Sequence, residues 1–170
     1  MTEAHSLAGR IDGETHRLPV RVYYEDTDFS GVVYHASYLR FMERGRTDFL
    51  RLLGVAQGDL FEQAKEEAGA GFFFVVRSMG IEFLRPARID DVLTVETRTE
   101  VVKGATLNLA QRVMRGDELL VEAKVRVAFL ADGKPVRIPD GLRRAMTPSA
   151  QAASADHIPG SALVPGSGAG

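Results

Sequence analysis

The chain has 170 residues, 45% of them apolar and 26% charged, a balance that fits one soluble domain better than two domains or a disordered chain. Its 21 basic and 23 acidic side chains leave a formal charge of only −2, which excludes a global basic field for nucleic acid or anionic membranes. The absence of cysteine removes disulfide frameworks, thiolate zinc sites and a cysteine nucleophile. Residues 1–17 are polar and aperiodic, with acids and no apolar stretch of signal-peptide type, so they read as a flexible arm on a cytoplasmic protein. No later run approaches the length needed to span a membrane. In the next segment Leu18, Val20, Val22 and Tyr24 alternate with Pro19, Arg21, Tyr23 and Glu25, the two-residue period of a strand.

After the polar break Asp26-Thr27-Asp28-Phe29-Ser30-Gly31 the period changes. Tyr38, Phe41, Met42, Gly45, Phe49, Leu52 and Leu53 recur at intervals of three and four, which predicts a long amphipathic helix ending near Gly54. A glycine inside that stripe costs about 1 kcal/mol against alanine, so Gly45 points to a strand or partner backbone passing close to the helix. A short helix over Asp59–Glu67 follows, then strand-like runs at Phe72–Leu84, Val92–Val102, Thr106–Met114 and Leu119–Leu130. Lys103-Gly104 and Arg115-Gly116-Asp117 separate the later runs as hairpin turns. Residues 147–170, rich in Ala, Ser, Gly and Pro, read as a second flexible end, which places the folded unit at 18–146. The order predicts an α+β domain in which one antiparallel sheet covers one principal helix. Its long edge strands call for pairing, and edge-to-edge dimerisation supplies it.

The stretch Tyr24-Glu25-Asp26-Thr27-Asp28-Phe29-Ser30-Gly31-Val32-Val33-Tyr34-His35-Ala36-Ser37-Tyr38-Leu39, continuing through Phe41-Met42-Glu43-Arg44, resembles the signature of the YbgC and 4-hydroxybenzoyl-CoA thioesterase branch of the hot-dog superfamily. The similarity extends through Ile81-Glu82-Phe83-Leu84-Arg85-Pro86-Ala87-Arg88-Ile89-Asp90-Asp91 and the terminal strands. The resemblance implies a hot-dog fold, an antiparallel sheet wrapped around a long central helix, and an acyl-CoA thioesterase. The family's aspartate, nucleophile or general base, maps onto Asp28, and its oxyanion donor maps onto the backbone N–H of His35. The resemblance also implies acyl-CoA or acyl carrier protein thioesters as substrates and a homodimer or homotetramer.

The chemistry of the residues is consistent with this. Thioester hydrolysis needs a carboxylate to attack or to activate water, and donors for the oxyanion. The first turn of a helix supplies unpaired N–H groups and a positive dipole end. Gly31 lets the chain bend close to substrate, and Tyr34 and Tyr38 are candidates to wall an acyl pocket. No metal or cofactor is called for, coenzyme A being part of the substrate.

Plainer roles stand beside these. Asp28 also fits a turn aspartate in an Asp-x-x-Gly sequence, and aromatic residues beside a core more often pack than bind. The His35 side chain either touches substrate or only holds the helix start. Glu43 is expected in a salt bridge or interface. Arg77, Arg85, Arg88 and Lys103 are candidate phosphate contacts of a residue type that is usually just solvated at strand ends. The sequence holds no Gly-x-Ser-x-Gly elbow, Walker loop or His-Glu-x-x-His. Two other functions remain open: a hot-dog hydratase or dehydratase, and a non-catalytic acyl-binding or envelope-associated scaffold.

Overall fold

The computed structural model describes residues 9–56, 60–68 and 71–149. In chain order these form β1 (Arg10–Asp12), β2 (Thr15–Arg21), a 3₁₀ turn (Tyr24–Asp26), α1 (His35–Ala56), α2 (Leu60–Ala68), β3 (Phe72–Phe83), β4 (Val92–Lys103), β5 (Thr106–Arg115), β6 (Glu118–Ala131), β7 (Lys134–Pro135) and α3 (Asp140–Met146). The strands make one antiparallel sheet in the order β1-β2-β4-β5-β6-β3, with β7 added to the end of β6. Two-residue loops join β4 to β5 and β5 to β6, at the turns read from Lys103-Gly104 and Arg115-Gly116. This is the α+β arrangement expected, one sheet against one long helix.

The predicted apolar stripe is the face that α1 buries. Tyr38, Phe41, Met42, Phe49 and Leu53 meet Leu18, Val20, Leu93, Val95, Val113, Val121 and Phe129 of the sheet in a single core. Each large side chain so buried contributes about 1.5–3 kcal/mol relative to exposure.

Polar residues also run beneath the helix. His16, Thr97 and Gln111 are cross-strand neighbours on β2, β4 and β5, and all three are buried. Gln111 donates from Nε2 to the Met42 carbonyl and to Thr97 Oγ1, both at 2.9 Å, and its Oε1 accepts from Arg46 at 2.7 Å. Arg46 is further ion-paired with Glu43, which also accepts a hydrogen bond from Thr47, in line with the salt bridge expected of that glutamate. Gly45 explains how the helix comes so near. A Cβ there would lie 2.8 Å from Val95 Cγ1 and 3.2 Å from Thr97 Oγ1, so only glycine admits the approach, and the neighbours are side chains of the sheet.

Three expectations are corrected. The arm over residues 1–17 is not flexible throughout, because β1 and the start of β2 lie within it. His16 is the reason: it continues the inward period of Leu18 and Val20, yet as a polar residue it broke the apolar pattern. Its Nε2 meets Asp48 Oδ2 at 2.8 Å, the same oxygen accepts the Gly9 N–H at 2.7 Å, and the ring lies 5.7 Å from that of Phe49. Residues 1–8 lie outside the described residues.

Second, the first strand stops at Arg21 rather than Glu25, because the Asp26 carboxylate takes the Tyr23 N–H at 2.9 Å and turns the chain. Third, β7 and α3 are elements that the sequence reading did not separate. The helix α3 packs on α2 and β4. Past the folded boundary at 146, residues 147–149 remain described, and the Ser149 hydroxyl donates to Glu14 at 2.8 Å. The Ala/Ser/Gly/Pro-rich tail from residue 150 onward lies outside the described residues.

Candidate functional site

The segment between β2 and α1 is built by backbone hydrogen bonds. Thr27 and Val33 form an antiparallel bridge, the Asp28 N–H donates to the Val32 carbonyl at 2.9 Å, and the Gly31 N–H donates to the Asp28 carbonyl at 3.0 Å. Gly31 has φ of 78°, so the tip is a three-residue hairpin loop closed by a left-handed glycine. Asp and Gly stand where such a turn prefers them.

At that tip Asp28 is exposed, and its Oδ1 accepts from the Ser30 N–H at 2.8 Å and from the Ser30 hydroxyl at 2.5 Å. The Ser30 hydroxyl, then the Ser30 N–H, hold the carboxyl below its ordinary value against a small opposing effect of burial, with lesser help from the Val32 backbone and the His35 ring. Asp28 is thus both the turn aspartate of the plainer reading and an ionised carboxylate facing solvent beside His35.

Asp26 differs in every respect. It is buried, its carboxylate is committed to Tyr23 and lies 3.7 Å from Arg40, and its carbonyl accepts the Tyr34 N–H at 2.9 Å.

The first turn of α1 follows at once. The Ser37 N–H is taken by the Tyr34 carbonyl at 2.8 Å. Helix geometry gives the N–H groups of His35 and Ala36 no intrahelical acceptor, and they carry the positive end of a 22-residue helix. The exposed His35 ring lies 4.4 Å from that of the half-exposed Tyr34 and 6.2 Å, edge-on, from Phe83.

Of the five residues singled out from sequence, Asp28, Gly31, Tyr34 and His35 fall on this one exposed corner, while Tyr38 is inside the core. Its ring lies 5.8 Å from Phe83, and its hydroxyl accepts the Ala87 N–H at 3.0 Å. Burial pushes the Tyr38 phenol above its ordinary value, although the Ala87 N–H pulls the other way.

A cavity of about 270 Å³ opens here, lined by Val33, His35, Tyr38, Phe83, Leu84 and the start of the following segment. Phe83 is the residue sequence reasoning missed. Its signal was present in the period-two run of β3, where Phe83 shares a face with Ile81, but nothing in one sequence marked the strand end as a wall. Of the basic candidates, Arg85 lines this cavity and lies 3.4 Å from Glu118. A larger groove, about 580 Å³, crosses the other face of the sheet among Arg17, Glu96, Arg112 and Glu122. Asp28 lines neither cavity, and of the two the smaller one reaches the start of α1, at His35 and Tyr38.

Comparison with known proteins identifies the family and the fold. Residues 22–146 match the family model of the thioesterase-like superfamily. The acyl-CoA thioesterase YbgC of Haemophilus influenzae is 46% identical over 130 residues, covering 75% of this chain and 91% of that protein. The acyl-CoA thioester hydrolase YbgC of Escherichia coli O6:H1 is 46% identical over 112 residues, 65% of this chain and 78% of that one. Among solved structures, a probable thioesterase from Bartonella henselae superposes with a TM-score of 0.61 at 45% identity, over 74% of this chain and 99% of that chain. A thioesterase from Thermus thermophilus, complexed with coenzyme A and zinc, gives 0.62 at 26% identity, over 76% of this chain and 90% of that chain. Matched along most of the described domain and sharing the hot-dog architecture of these relatives, the chain belongs to the thioesterase-like superfamily.

Proposed function

We propose that this protein is an acyl-CoA thioesterase that uses Asp28 as nucleophile or general base and the first N–H groups of α1, that of His35 foremost, as oxyanion donors. The observation that carries the reading is the placement of an ionised, solvent-facing carboxylate one short loop before the open N-terminus of a long helix. The 46% identity to a curated acyl-CoA thioesterase supports the substrate class, as does the coenzyme A held by the Thermus relative.

The chemistry follows from the two halves of the corner. Either Asp28 takes a proton from water as the water oxygen adds to the thioester carbonyl, or it adds directly and water then opens the resulting anhydride. On both routes negative charge grows on the carbonyl oxygen, where fixed N–H donors stabilise it without reorganising. Collapse of the tetrahedral intermediate breaks the C–S bond on either route, and the thiolate leaves and is protonated; the acid is released at once on the first route and after water opens the anhydride on the second. Gly31 gives the loop its close turn, and Tyr34 with Phe83 flanks the acyl group. The reaction so described uses no metal or redox cofactor, and coenzyme A arrives as part of the substrate.

The proposal extends to assembly and location. Among the described residues β3 pairs only with β6, and this twelve-residue edge exposes Phe73, Val76 and Phe83. An apolar edge of that length is managed by pairing, and a second copy across β3 gives a homodimer that could pair again into a tetramer. Light scattering reads which. Acyl carrier protein thioesters are the second substrate class, and the cytoplasm is the compartment proposed; among the described residues no helix is long and apolar enough to cross a membrane.

The test is thiol release from acetyl-, hexanoyl-, palmitoyl- and benzoyl-CoA by wild type and Asp28→Asn together. Release lost in the variant supports class and site. Enoyl hydration without thiol release would instead make it a hydratase, and acyl binding without either would make it a scaffold.

A further inference from the structure

The two halves of the reactive corner, the hairpin bearing Asp28 and the start of α1, are held against a common support, the segment 84–91 between β3 and β4. Val33 donates to the Ala87 carbonyl at 2.8 Å, and Val32 bridges Arg88, which fixes the hairpin. The N–H of the same Ala87 donates at 3.0 Å to the hydroxyl of Tyr38, one turn into α1. Ala87 is 0% exposed and Tyr38 3%. A single buried residue thus grips loop and helix through its two backbone polar groups.

The support is itself anchored. Leu84 and Arg85 donate to the Leu120 carbonyl at 2.8 and 3.1 Å, the Asp90 N–H donates to the Val22 carbonyl at 3.0 Å, and the Val22 N–H donates to the Asp91 carbonyl at 2.9 Å. The Asp91 carboxylate accepts the Arg88 N–H at 2.9 Å and Arg115 at 2.8 Å, while Arg115 also reaches the Pro86 carbonyl at 3.4 Å. The segment is therefore a fixed reference that the sheet holds still.

We infer that the Tyr38 hydroxyl is a positioning group for thioester cleavage: through the Ala87 N–H it sets the helix start at the distance from Asp28 that places the oxyanion donors opposite the carboxylate. This rests on the thioesterase reading above. It adds a clamp to the pocket wall expected of Tyr38, since its oxygen is engaged by the Ala87 N–H while the residue also lines the cavity.

Tyr38→Phe separates these roles, because the ring stays and only the acceptor is lost. Wild type, Tyr38→Phe, Asp28→Asn and the double variant are assayed for acyl-CoA hydrolysis at a temperature where circular dichroism shows each folded. The expected result is a fall in kcat of roughly 10-fold, from misplacement by a fraction of an ångström, with KM changed by less than about twofold. In the Asp28→Asn background the same change costs less than about twofold, because there is no carboxylate left to align. A lower Tm with unchanged kcat, a rise in KM alone, or full additivity with Asp28→Asn would each overturn the inference. If Tyr38→Phe does not fold, 3,5-difluorotyrosine at position 38, assayed at a pH that keeps its more acidic phenol protonated, retains the hydroxyl as a poorer acceptor. A smaller fall in kcat then supports the clamp, and an unchanged kcat overturns it. Failure of wild type to release thiol would sink the thioesterase reading instead.

Discussion

The N-terminal end of α1 and its middle treat polar groups in opposite ways. In the middle, Arg46 and Asp48 of the helix and Gln111, Thr97 and His16 of the sheet beneath it pair with one another or with the Met42 carbonyl. At the start, Asp28, His35 and Tyr34 face solvent, and the first N–H groups of the helix have no acceptor within it. Buried polar groups are costly unless satisfied, and when satisfied they fix one arrangement. Open donors stabilise nothing in the resting protein and are available to an oxyanion. The same helix is thus pinned at one place so that it can be left open at another.

The sharpest break of that contrast is at the open end. Asp28→Asn is nearly isosteric and is expected to lower kcat by ~10²-fold or more while Tm stays close to wild type, because the side chain is exposed and its turn can still form. Asp26→Asn is expected to lower kcat much less and to lower Tm, since Asp26 is buried and holds Tyr23 and the approach to Arg40. Parallel kinetics and thermal melts check both. A reversal of the pair would move the reactive carboxylate to Asp26.

The middle should break the other way. Gln111→Leu removes the acceptor of Arg46 Nη1 and the donor to the Met42 carbonyl and Thr97 Oγ1, while Arg46 keeps Glu43, at about 1–3 kcal/mol of stability. The folded fraction should keep its kcat. Gly45→Ala gains helix propensity of about 1 kcal/mol but drives a methyl into Val95 Cγ1, for which overpacking costs about 1–3 kcal/mol. A net loss of about 1 kcal/mol or somewhat more is expected by urea unfolding, and a gain would show that α1 can lift from the sheet freely.

The contrast also explains what sequence could reveal. Period and turn residues located β3 to β6 within a residue or so, because the runs are strand-like despite a register shift in each pairing and the loops between β4, β5 and β6 carry glycine. The close approach at Gly45 was legible as a helix interior paying for a glycine. The buried polar seam of His16, Thr97 and Gln111 with Arg46 and Asp48 was not, since these residues show no partner in sequence until strands and helix meet from positions far along the chain. At the corner, Asp28 and Gly31 were legible from local turn chemistry together with the family resemblance. The positions of Phe83 and Ala87 beside it were not, because both depend on where the segment 84–91 folds back, a long-range contact with the start of α1 that no local pattern encodes. Tyr38 shows the remaining gap: an aromatic near a site looks the same in sequence whether its oxygen faces substrate or a buried N–H.

The smallest expected effect concerns acid, and it tests whether the seam reaches the N-terminal strands. Burial pushes the Asp48 carboxyl up, but hydrogen bonds from Arg51, His16 and the Gly9 N–H outweigh it, and the group ends below its ordinary value of 3.8. A carboxylate depressed in the folded state binds its proton less readily than in the unfolded chain, so its contribution to stability is complete above the ordinary carboxylate range. That contribution is lost as pH falls through 3.8 toward the folded value. Wild type should therefore lose stability below about pH 4 more steeply than Asp48→Asn, which is less stable at neutral pH but has no such carboxylate to protonate. Hydrogen exchange over β1 and β2 localises the effect: as the pH drops, Gly9 to Leu18 should open before β4 to β6, since Asp48 is the residue on α1 that holds both Gly9 and His16. Uniform opening across the sheet would mean that the N-terminal strands are held by their pairing with β4 alone, and that the His16–Asp48 contact adds nothing to it.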